Sequence, residues 1–373
     1  MIATRYKMTA IQSGEIMEKV AHFAAEHIAR HHDLSERDDF PHDLWAKMAK
    51  VGLFKIGIDE FYGGGGGGYL NLTEAAEALV KNGYNMGIAT SWLYQQIVAR
   101  FLVAGFGSEK QKHQLLQEMA LGKLTVSFAV SEPQRGAHPK YMTTAAVKDG
   151  SFYTLNGEKT YLTNGPIAQL FIVIVVTAEG KQRGFTAFLI PRQVAGLQVG
   201  QPLNLNFLQP SPHGSIVLNN CRLPDTAILG KEGNAYREMV TAFGEIEDTV
   251  MIGAATGAMA GQLTLLIGAT GKDKIAANES LKNKLVEQDV ALQTIRKIAY
   301  TTAGGLDRGD VHSVSQAINF ISMAVEFQSN MDAIINNWNL HIDVRYNHLR
   351  ADVTAMMALK KKITLLRQAK REL

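Results

Sequence analysis

The sequence concentrates hydroxyl and aromatic side chains at the ends of two predicted strands. The first strand ends near Ser131, because Pro133 has no backbone N–H and keeps the residue before it extended. The second strand carries Tyr161 and Thr163 on one face, with Leu162 on the other. This face suits a flat, hydrogen-bonding ring system such as a flavin. It fits equally an ordinary antiparallel sheet with a solvated Tyr and Thr.

Three regions of different periodicity must position these residues. Residues 1–124 are predicted to be helical, because apolar side chains such as Val20 and Phe23 recur at helical spacing. Residues 125–228 contain alternating or continuous β-branched runs, separated by Gly, Asn, Asp and Pro, which indicates strands. Helical spacing returns over residues 229–373. The pattern predicts an α+β protein with a middle antiparallel β domain between two α-helical domains.

The bulk composition is that of a soluble globular protein. The 373 residues are 46% hydrophobic and 20% charged, with a net charge of +3. This charge is too small to indicate a nucleic-acid partner, and the longest strongly apolar run is too short for membrane insertion. The N-terminus lacks the apolar core of a signal peptide. The single cysteine, Cys221, fits a reducing compartment, so we expect a cytoplasmic protein.

Two segments of the chain resemble motifs of the acyl-CoA dehydrogenase family. They read FAVSEPQRGAH and LNGEKTYLTNG, and they occur in the order in which that family carries them. The resemblance implies the fold of that family, with an N-terminal α-helical domain, a middle β domain and a C-terminal domain like a four-helix bundle. The implied domains are residues 1–124, 125–228 and 229–373.

The resemblance also implies an FAD cofactor and a thioester substrate. The motif positions that it assigns to the cofactor are Phe128, Val130, Ser131, Gly136, Ala137, Tyr161 and Thr163. Trp92 and Tyr94 fall where the family lines its acyl pocket, although aromatic side chains at these positions fit a hydrophobic core equally well. Ser211 stands where the family places a serine before a strand, and it is the third candidate for substrate binding.

The family removes the α-proton of its substrate with a glutamate, and the resemblance implies Glu247 for this role. Most members carry this base near the C-terminus, but the corresponding position here is Leu359. A minority carries it early in the C-terminal domain, where Glu247 stands. We expect Glu247, rather than Glu245, to share a helix face with buried residues. The alternative is a carboxylate near a helix start that only favours the helix dipole.

The sequence departs from the family pattern at several cofactor positions. Ala137 and His138 replace a Ser-Asp pair, and Asp248 follows Glu247 where the family has arginine. The R-x-x-F-G segment is replaced by residues 268–272, and the G-G-x-G segment by residues 335–338. The resemblance therefore extends to the flavin-ring platform more than to the adenine and pyrophosphate contacts.

The implied function is the introduction of an α,β double bond into an acyl-CoA or an acyl-carrier-protein thioester. The alternatives are a flavin oxidase or monooxygenase, or a binding protein without catalysis on the same scaffold. The family also implies a homodimer or homotetramer and an electron-transfer flavoprotein as partner.

Two further patterns have simpler interpretations. His27 and His31 are four residues apart, but no acidic third ligand accompanies them, so no metal site is predicted. The six glycines of residues 63–68 lack the Lys-Ser/Thr of a phosphate loop, and we expect a mobile loop there.

Overall fold

The computed structural model describes residues 10–179, 183–310 and 314–371. A helical N-terminal region, a β-sheet and a second helical region follow one another along the chain. This order confirms the predicted fold class. The predicted boundary after residue 228 falls inside the short last strand, Ile228–Leu229, which pairs with the sheet.

The N-terminal helices form one side of the main hydrophobic core. They are α1 (Ala10–Phe23), α2 (His42–Lys50), α3 (Tyr69–Gly83), α4 (Met86–Ile97), α5 (Ala104–Phe106) and α6 (Glu109–Ala120). Every residue of α4 is buried. The side chain of Asn85 caps α4 by accepting a hydrogen bond from the Ile88 N–H at 2.9 Å. Helix α4 is therefore a fixed central element on which a site can be built.

The middle region is an eight-stranded mixed sheet. Its strands are β1 (Val126–Ala129), β2 (Ala145–Asp149), β3 (Phe152–Thr163), β4 (Leu170–Ala178), β5 (Gly184–Pro191), β6 (Leu197–Val199), β7 (His213–Pro224) and β8 (Ile228–Leu229). Most pairings are antiparallel, as predicted, but β1 and β2 both run parallel to β4. The sheet is therefore mixed and not purely antiparallel, because β4 pairs in parallel with β1 and β2 and antiparallel with β5.

Strand β4 is buried on both faces. Ile172 and Ile174 pack against the helices, whereas Phe171 and Val173 pack in the second hydrophobic core, on the other face of the sheet. A strand covered on both sides needs apolar residues at every position, which explains the continuous β-branched run in the sequence. The sheet consequently joins the helical regions through one face only.

Among its described residues, the C-terminal region contains four long α-helices and one short α-helix. They are α7 (Thr241–Thr270), α8 (Lys272–Ala277), α9 (Glu279–Asp307), α10 (Val314–Trp338) and α11 (Val344–Arg371). The segment Tyr236–Thr270 is long and apolar enough to cross a membrane, with a mean hydropathy of 1.6. Since 83% of that apolar window is buried inside the protein, its apolar character is accounted for by packing in the core.

Small residues let α7 approach α3 closely. A Cβ atom on Gly253 would lie 2.3 Å from the carbonyl oxygen of Thr73, and one on Gly257 would lie 2.5 Å from that of Glu77. Real Cβ atoms do not come so close to backbone, so both positions require glycine. This contact fixes the position of α7 relative to the N-terminal helices.

The glycine run of residues 63–68 is held by backbone hydrogen bonds. Gly65, Gly66 and Gly67 donate their N–H groups to carbonyls of residues 55–58, at 2.7 to 2.9 Å. The buried Arg100 side chain donates to the Gly67 carbonyl at 2.7 Å. These bonds fix the loop in one conformation, against the mobility that its glycine content predicts.

Candidate active site

A buried ion pair joins the two sequence motifs. The Lys159 side chain is fully buried, and its Nζ donates to Glu132 Oε1 at 3.1 Å and to the Val130 carbonyl at 2.9 Å. The Glu132 carboxylate also accepts hydrogen bonds from Thr143 and from the Thr144 N–H. The pair therefore holds the end of β1 against β3, and it fixes the backbone of two predicted cofactor residues, Val130 and Ser131.

The pKa values of this pair reflect burial and pairing together. Burial by itself would raise the pKa of Glu132, but hydrogen bonds from Thr144 and the charge of Lys159 outweigh it and lower that pKa to about 2. Burial lowers the pKa of Lys159 to about 8, although Glu132 opposes this shift. Both groups are thus charged at neutral pH. Sequence reasoning missed this pair, although a lysine inside an alternating strand was the available signal.

Tyr161 lies at an irregularity in β3. The pairing of β3 with β7 shifts register between Lys159 and Leu162, and Tyr161 has a left-handed backbone with φ of +59°. Its side chain is 63% exposed, whereas Leu162 is buried in the core of the sheet. The exposed ring is therefore presented by a bulge and not by simple strand alternation. A non-glycine residue with positive φ is strained, which is common at functional sites.

The two motifs meet where the sequence predicts. The Thr160 N–H donates to the Ser131 carbonyl at 2.9 Å, so the segment that carries Tyr161 runs beside the Ser131 strand end. Beyond Ser131 the chain forms a tight turn, in which Glu132 and Gly136 exchange two backbone hydrogen bonds of 3.0 Å. Gly136 has φ of +61°, which explains the glycine at this position.

The loop after this turn is held by a residue of the C-terminal helical region. The Ala137 carbonyl accepts a hydrogen bond of 2.7 Å from the hydroxyl of Tyr236, just before α7. The predicted cofactor residues from Val130 to Ala137 therefore form one connected segment, fixed at both ends.

Thr163, His213 and Ser211 form a polar cluster at the ends of β3 and β7. Thr163 and His213 are paired residues of the two strands, and Thr163 Oγ1 lies 3.2 Å from His213 Nε2. His213 Nδ1 lies 3.0 Å from the Ser211 carbonyl. Burial lowers the pKa of His213. His213 was not predicted from the sequence, because pairing between strands 50 residues apart cannot be read from local pattern.

This cluster is tied to α4. The hydroxyl of Ser211 lies 2.9 Å from that of Ser91, and Asn164 donates its side-chain N–H to the Ser91 carbonyl at 2.9 Å. Asn164 Oδ1 and Thr90 Oγ1 are buried and have no hydrogen-bond partner within the described residues. Unpaired buried polar atoms are costly, and two of them beside one cluster indicate a place where a ligand or water belongs.

Glu247 lies beside an aromatic cluster that joins α4, β1 and α7. Phe243, one helical turn before Glu247, contacts Phe128 and Tyr94, with ring centroids 4.9 and 5.4 Å apart. The Tyr94 hydroxyl donates to the Phe128 carbonyl at 3.0 Å. Burial raises the pKa of Tyr94 well above its usual value, and the negative charge of Glu247 raises it further. The charge of Glu247 therefore acts on Tyr94, and Phe243, one turn earlier on α7, lies at the junction of all three regions.

Burial along α7 does not separate Glu247 from Glu245. Met251 and Ala254, expected to share the face of Glu247, are buried, but Thr249 and Ile252 on the face of Glu245 are buried too, and both glutamates are half-buried. A partly covered carboxylate beside aromatic rings has the surroundings that a general base requires. The assignment of Glu247 as the base stays a prediction.

Trp92 and Tyr94 differ in their surroundings. The Trp92 side chain is fully buried, and its indole N–H donates to the Leu53 carbonyl at 3.1 Å, which favours the core interpretation. Tyr94 instead touches both the Phe128 strand and Phe243. Only Tyr94 of these two is thus brought together with Glu247.

The residues present fit a flavin ring. The Tyr161 ring is exposed, Thr163 is half-buried, and the unpaired Oδ1 of Asn164 follows Thr163 directly in the chain. The segments that replace the family's other cofactor contacts take part in the fold of the C-terminal region. Residues 268–270 end α7, and the carbonyl of Trp338 accepts a hydrogen bond from Lys274.

No metal centre is evident in the part of the chain that the structure describes. No group of three or more His, Cys, Asp or Glu side chains is placed to hold an ion among those residues. The His27 ring packs on Phe23 at 5.0 Å, and the helical segment that carries it ends at Ile28, before His31. The two histidines therefore do not share a continuous helix face.

Comparison with protein-family models identifies two matched domains. Residues 12–123 match the acyl-CoA dehydrogenase N-terminal domain, and residues 127–221 match the acyl-CoA dehydrogenase middle domain. Together the two matches cover more than half of the chain.

Curated relatives extend over most of the sequence. The chain is 29% identical over 313 residues to an acyl-CoA dehydrogenase of Bacillus subtilis, with 81% of each chain covered. It is 27% identical over 300 residues to an L-prolyl-[peptidyl-carrier protein] dehydrogenase of Pseudomonas fluorescens, with 78% of each covered.

Solved structures show the same fold at lower sequence identity. The prolyl acyl carrier protein oxidase AnaB aligns with a TM-score of 0.83 and 24% identity, over 98% of this chain and 99% of AnaB. The FAD complex of PigA aligns with a TM-score of 0.80 and 22% identity, over 99% of this chain and all of that one.

Proposed function

This chain belongs to the acyl-CoA dehydrogenase family, and we propose that it introduces an α,β double bond into an acyl thioester with FAD as cofactor. One observation carries the proposal beyond family membership. Glu247 stands one helical turn after Phe243, which packs on the strand of the flavin motif, and its negative charge acts on Tyr94. A candidate base thus follows, one turn on, the residue that contacts the ring platform.

The chemistry of such a reaction requires a base in a dry site. The α-proton of a thioester is weakly acidic, so a carboxylate must be positioned to remove it as negative charge develops on the thioester oxygen. When bound, FAD supplies the acceptor for the β-hydride. The residues of this chain that would hold its ring system are Phe128, Val130, Ser131, Gly136, Ala137, Tyr161 and Thr163.

The surroundings of Glu247 suit the role of base. The rings of Phe243, Phe128 and Tyr94 exclude water from the side of α7 that faces the sheet. In such surroundings Glu247 takes the α-proton and holds it on its carboxyl group. Tyr94 is uncharged there, since its pKa is raised, and its hydroxyl proton is engaged by the Phe128 carbonyl. Tyr94 therefore packs in the aromatic cluster and does not compete as a base.

The thioester can belong to CoA or to a carrier protein, because the named relatives include enzymes of both kinds. A second candidate is an oxidase on the same scaffold. The structural neighbour AnaB is named as an oxidase, and this name supports the second candidate. A binding protein that has lost catalysis is the third, supported by the missing adenine and pyrophosphate segments.

Anaerobic bleaching of bound flavin tests the proposal. Purified protein is saturated with FAD and mixed with acyl-CoA or acyl-carrier-protein thioesters without oxygen, while flavin absorbance is followed. A dehydrogenase loses absorbance and recovers it only with an added electron acceptor. Rapid recovery in air identifies the oxidase, and failure to bind FAD identifies the binding protein.

We also propose that the protein is a homodimer or homotetramer, with the C-terminal helices at the interface. Val286 and Val290 lie one turn apart on α9 and are 54% and 60% exposed, and Val325 on α10 is 55% exposed. Exposed apolar side chains on neighbouring helices are typical of an interface. Light scattering of the purified protein and of a Val286→Lys/Val290→Lys variant tests this. A cytoplasmic location and an electron-transfer flavoprotein as acceptor complete the proposal.

A further inference from the structure

We propose that His213 fixes the direction of the Thr163 hydroxyl, so that this hydroxyl can only accept a hydrogen bond from the bound cofactor. This positioning role rests on the proposed function, because it concerns the residue that the motif places at the flavin ring. It adds a residue from outside both motifs to the cofactor site.

The Ser211 carbonyl determines the tautomer of His213. A carbonyl oxygen only accepts hydrogen bonds, and it lies 3.0 Å from His213 Nδ1, so the ring must carry a proton on Nδ1. The imidazole is 9% exposed, and burial favours its neutral form. A neutral ring with a proton on Nδ1 has a bare Nε2, which is an acceptor.

This tautomer of His213 determines the direction of the Thr163 hydroxyl proton. Its Oγ1 lies 3.2 Å from His213 Nε2, so the only hydroxyl proton of Thr163 is donated to His213. The two residues are directly paired between β3 and β7, which keeps the two groups in register. The backbone is also held, since the Thr163 carbonyl accepts from Ser127 Oγ at 2.8 Å and the His213 carbonyl accepts from the Leu203 N–H at 2.7 Å.

What remains on the Thr163 hydroxyl is its lone pairs. A group of the cofactor that faces this hydroxyl must therefore donate a proton to it. A reduced flavin ring carries an N–H at the nitrogen where the oxidised ring has only a bare acceptor. Placing that nitrogen against the Thr163 hydroxyl is part of the proposal, and the His213–Thr163 pair then favours the reduced cofactor over the oxidised one.

The tautomer of His213 can be measured without any cofactor. Long-range ¹H–¹⁵N spectra of the labelled protein distinguish the two neutral tautomers and the imidazolium, and a His213→Gln variant identifies the signal among the 11 histidines. We expect a neutral ring with the proton on Nδ1. A proton on Nε2, or a charged ring at neutral pH, would overturn the proposal.

The redox consequence is measured by a double-mutant cycle. His213→Phe keeps a ring but removes the acceptor, which frees the Thr163 proton to point at the cofactor. We expect the ratio of reduced to oxidised FAD affinity to fall about tenfold, which lowers the midpoint potential by about 30 mV for two electrons. In a Thr163→Val background the same substitution should leave the potential unchanged.

The outcomes separate the two proposals. If the wild-type protein binds FAD and its potential does not respond to His213→Phe, the positioning role is refuted while the proposed function stands. If the wild-type protein binds no FAD, the proposed function fails, and the tautomer alone decides whether the hydroxyl is oriented as argued. The tautomer is read in the wild-type chain, and where His213→Gln does not fold, the Thr163→Val variant identifies the His213 signal instead, because it removes the hydroxyl that lies 3.2 Å from Nε2.

Discussion

The buried Lys159–Glu132 pair offers a sharp test of how the flavin platform is held together. The substitution Lys159→Met keeps most of the aliphatic length of the side chain and removes its charge and its donors. The variant leaves the Glu132 carboxylate 3% exposed and without its counter-charge, and it leaves the Val130 carbonyl without the Nζ donor.

The expected loss in the free energy of unfolding can be estimated from the contacts that remain. Removing one partner of a buried ion pair destabilises a protein by about 3–5 kcal/mol. Glu132 keeps the bonds from the Thr143 N–H and hydroxyl and from the Thr144 N–H, so we expect about 3 kcal/mol, at the lower end of that range. The double variant with Glu132→Gln should recover part of the loss, because no buried charge remains.

A surface pair made by a lysine of strand β2 provides the matched control. Lys148 lies 3.5 Å from Glu232, and both side chains are about half exposed, at 55% and 45%. Lys148→Met should therefore cost less than about 1 kcal/mol. Urea unfolding of both variants measures the difference, and fluorescence titration with FAD measures whether the loss reaches the cofactor platform at Val130 and Ser131.

The pH dependence of the Lys159→Met effect identifies its cause. A folded-state pKa of about 2 means that Glu132 stabilises the wild type above its ordinary pKa of 4.5, and that this contribution is lost as the pH falls toward 2. Without Lys159 the carboxyl accepts a proton more easily in the folded state. The stability gap between wild type and variant should therefore be smaller at pH 4 than at pH 7. An equal gap at both pH values would refute the electrostatic reasoning and indicate a packing defect.

Two further predictions concern residues outside the platform. Burial raises the pKa of Asp352 to about 7, so the folded protein loses stability as the pH rises through 7 and this carboxyl must ionise. Asp352→Asn should therefore be more stable than the wild type by at most about 4 kcal/mol at pH 8 in thermal unfolding, with no gain below pH 4. An equal gain at both pH values would contradict this. Gly64→Ala should destabilise by about 3 kcal/mol or more, because its Cβ would lie 1.9 Å from the Ile58 carbonyl oxygen, whereas Gly65→Ala, at 3.5 Å from the nearest atom, should be tolerated; equal losses would show that the loop adapts.

The sequence predicts the architecture well, because periodicity reports burial. The run of residues 170–176 is apolar throughout since both faces of β4 are covered, and α7 carries Gly253 and Gly257 because α3 touches it there. These signals are local, and each follows from one contact with the rest of the protein.

The parts of the site that depend on register could not be predicted. The bulge at Tyr161 and the pairing of Thr163 with His213 are set by how β3 meets β7, which no local pattern encodes. The glycine run shows the opposite failure. Its composition suggests freedom, but hydrogen bonds to residues 55–58 and to Arg100 remove that freedom. Glycine content describes the backbone freedom of the unfolded segment, whereas hydrogen-bond partners determine its conformation in the folded protein.

Proton transfer at the α-carbon tests the central claim most directly. Enzyme with FAD is incubated anaerobically in D₂O with excess acyl thioester and no electron acceptor, so that at most one turnover occurs per site. Deuterium at the α-carbon then reports proton removal and return. We predict uptake by the wild type and by Glu245→Gln, and a loss of about 10²–10⁴-fold in Glu247→Gln with FAD still bound. Undiminished uptake in Glu247→Gln would contradict the account.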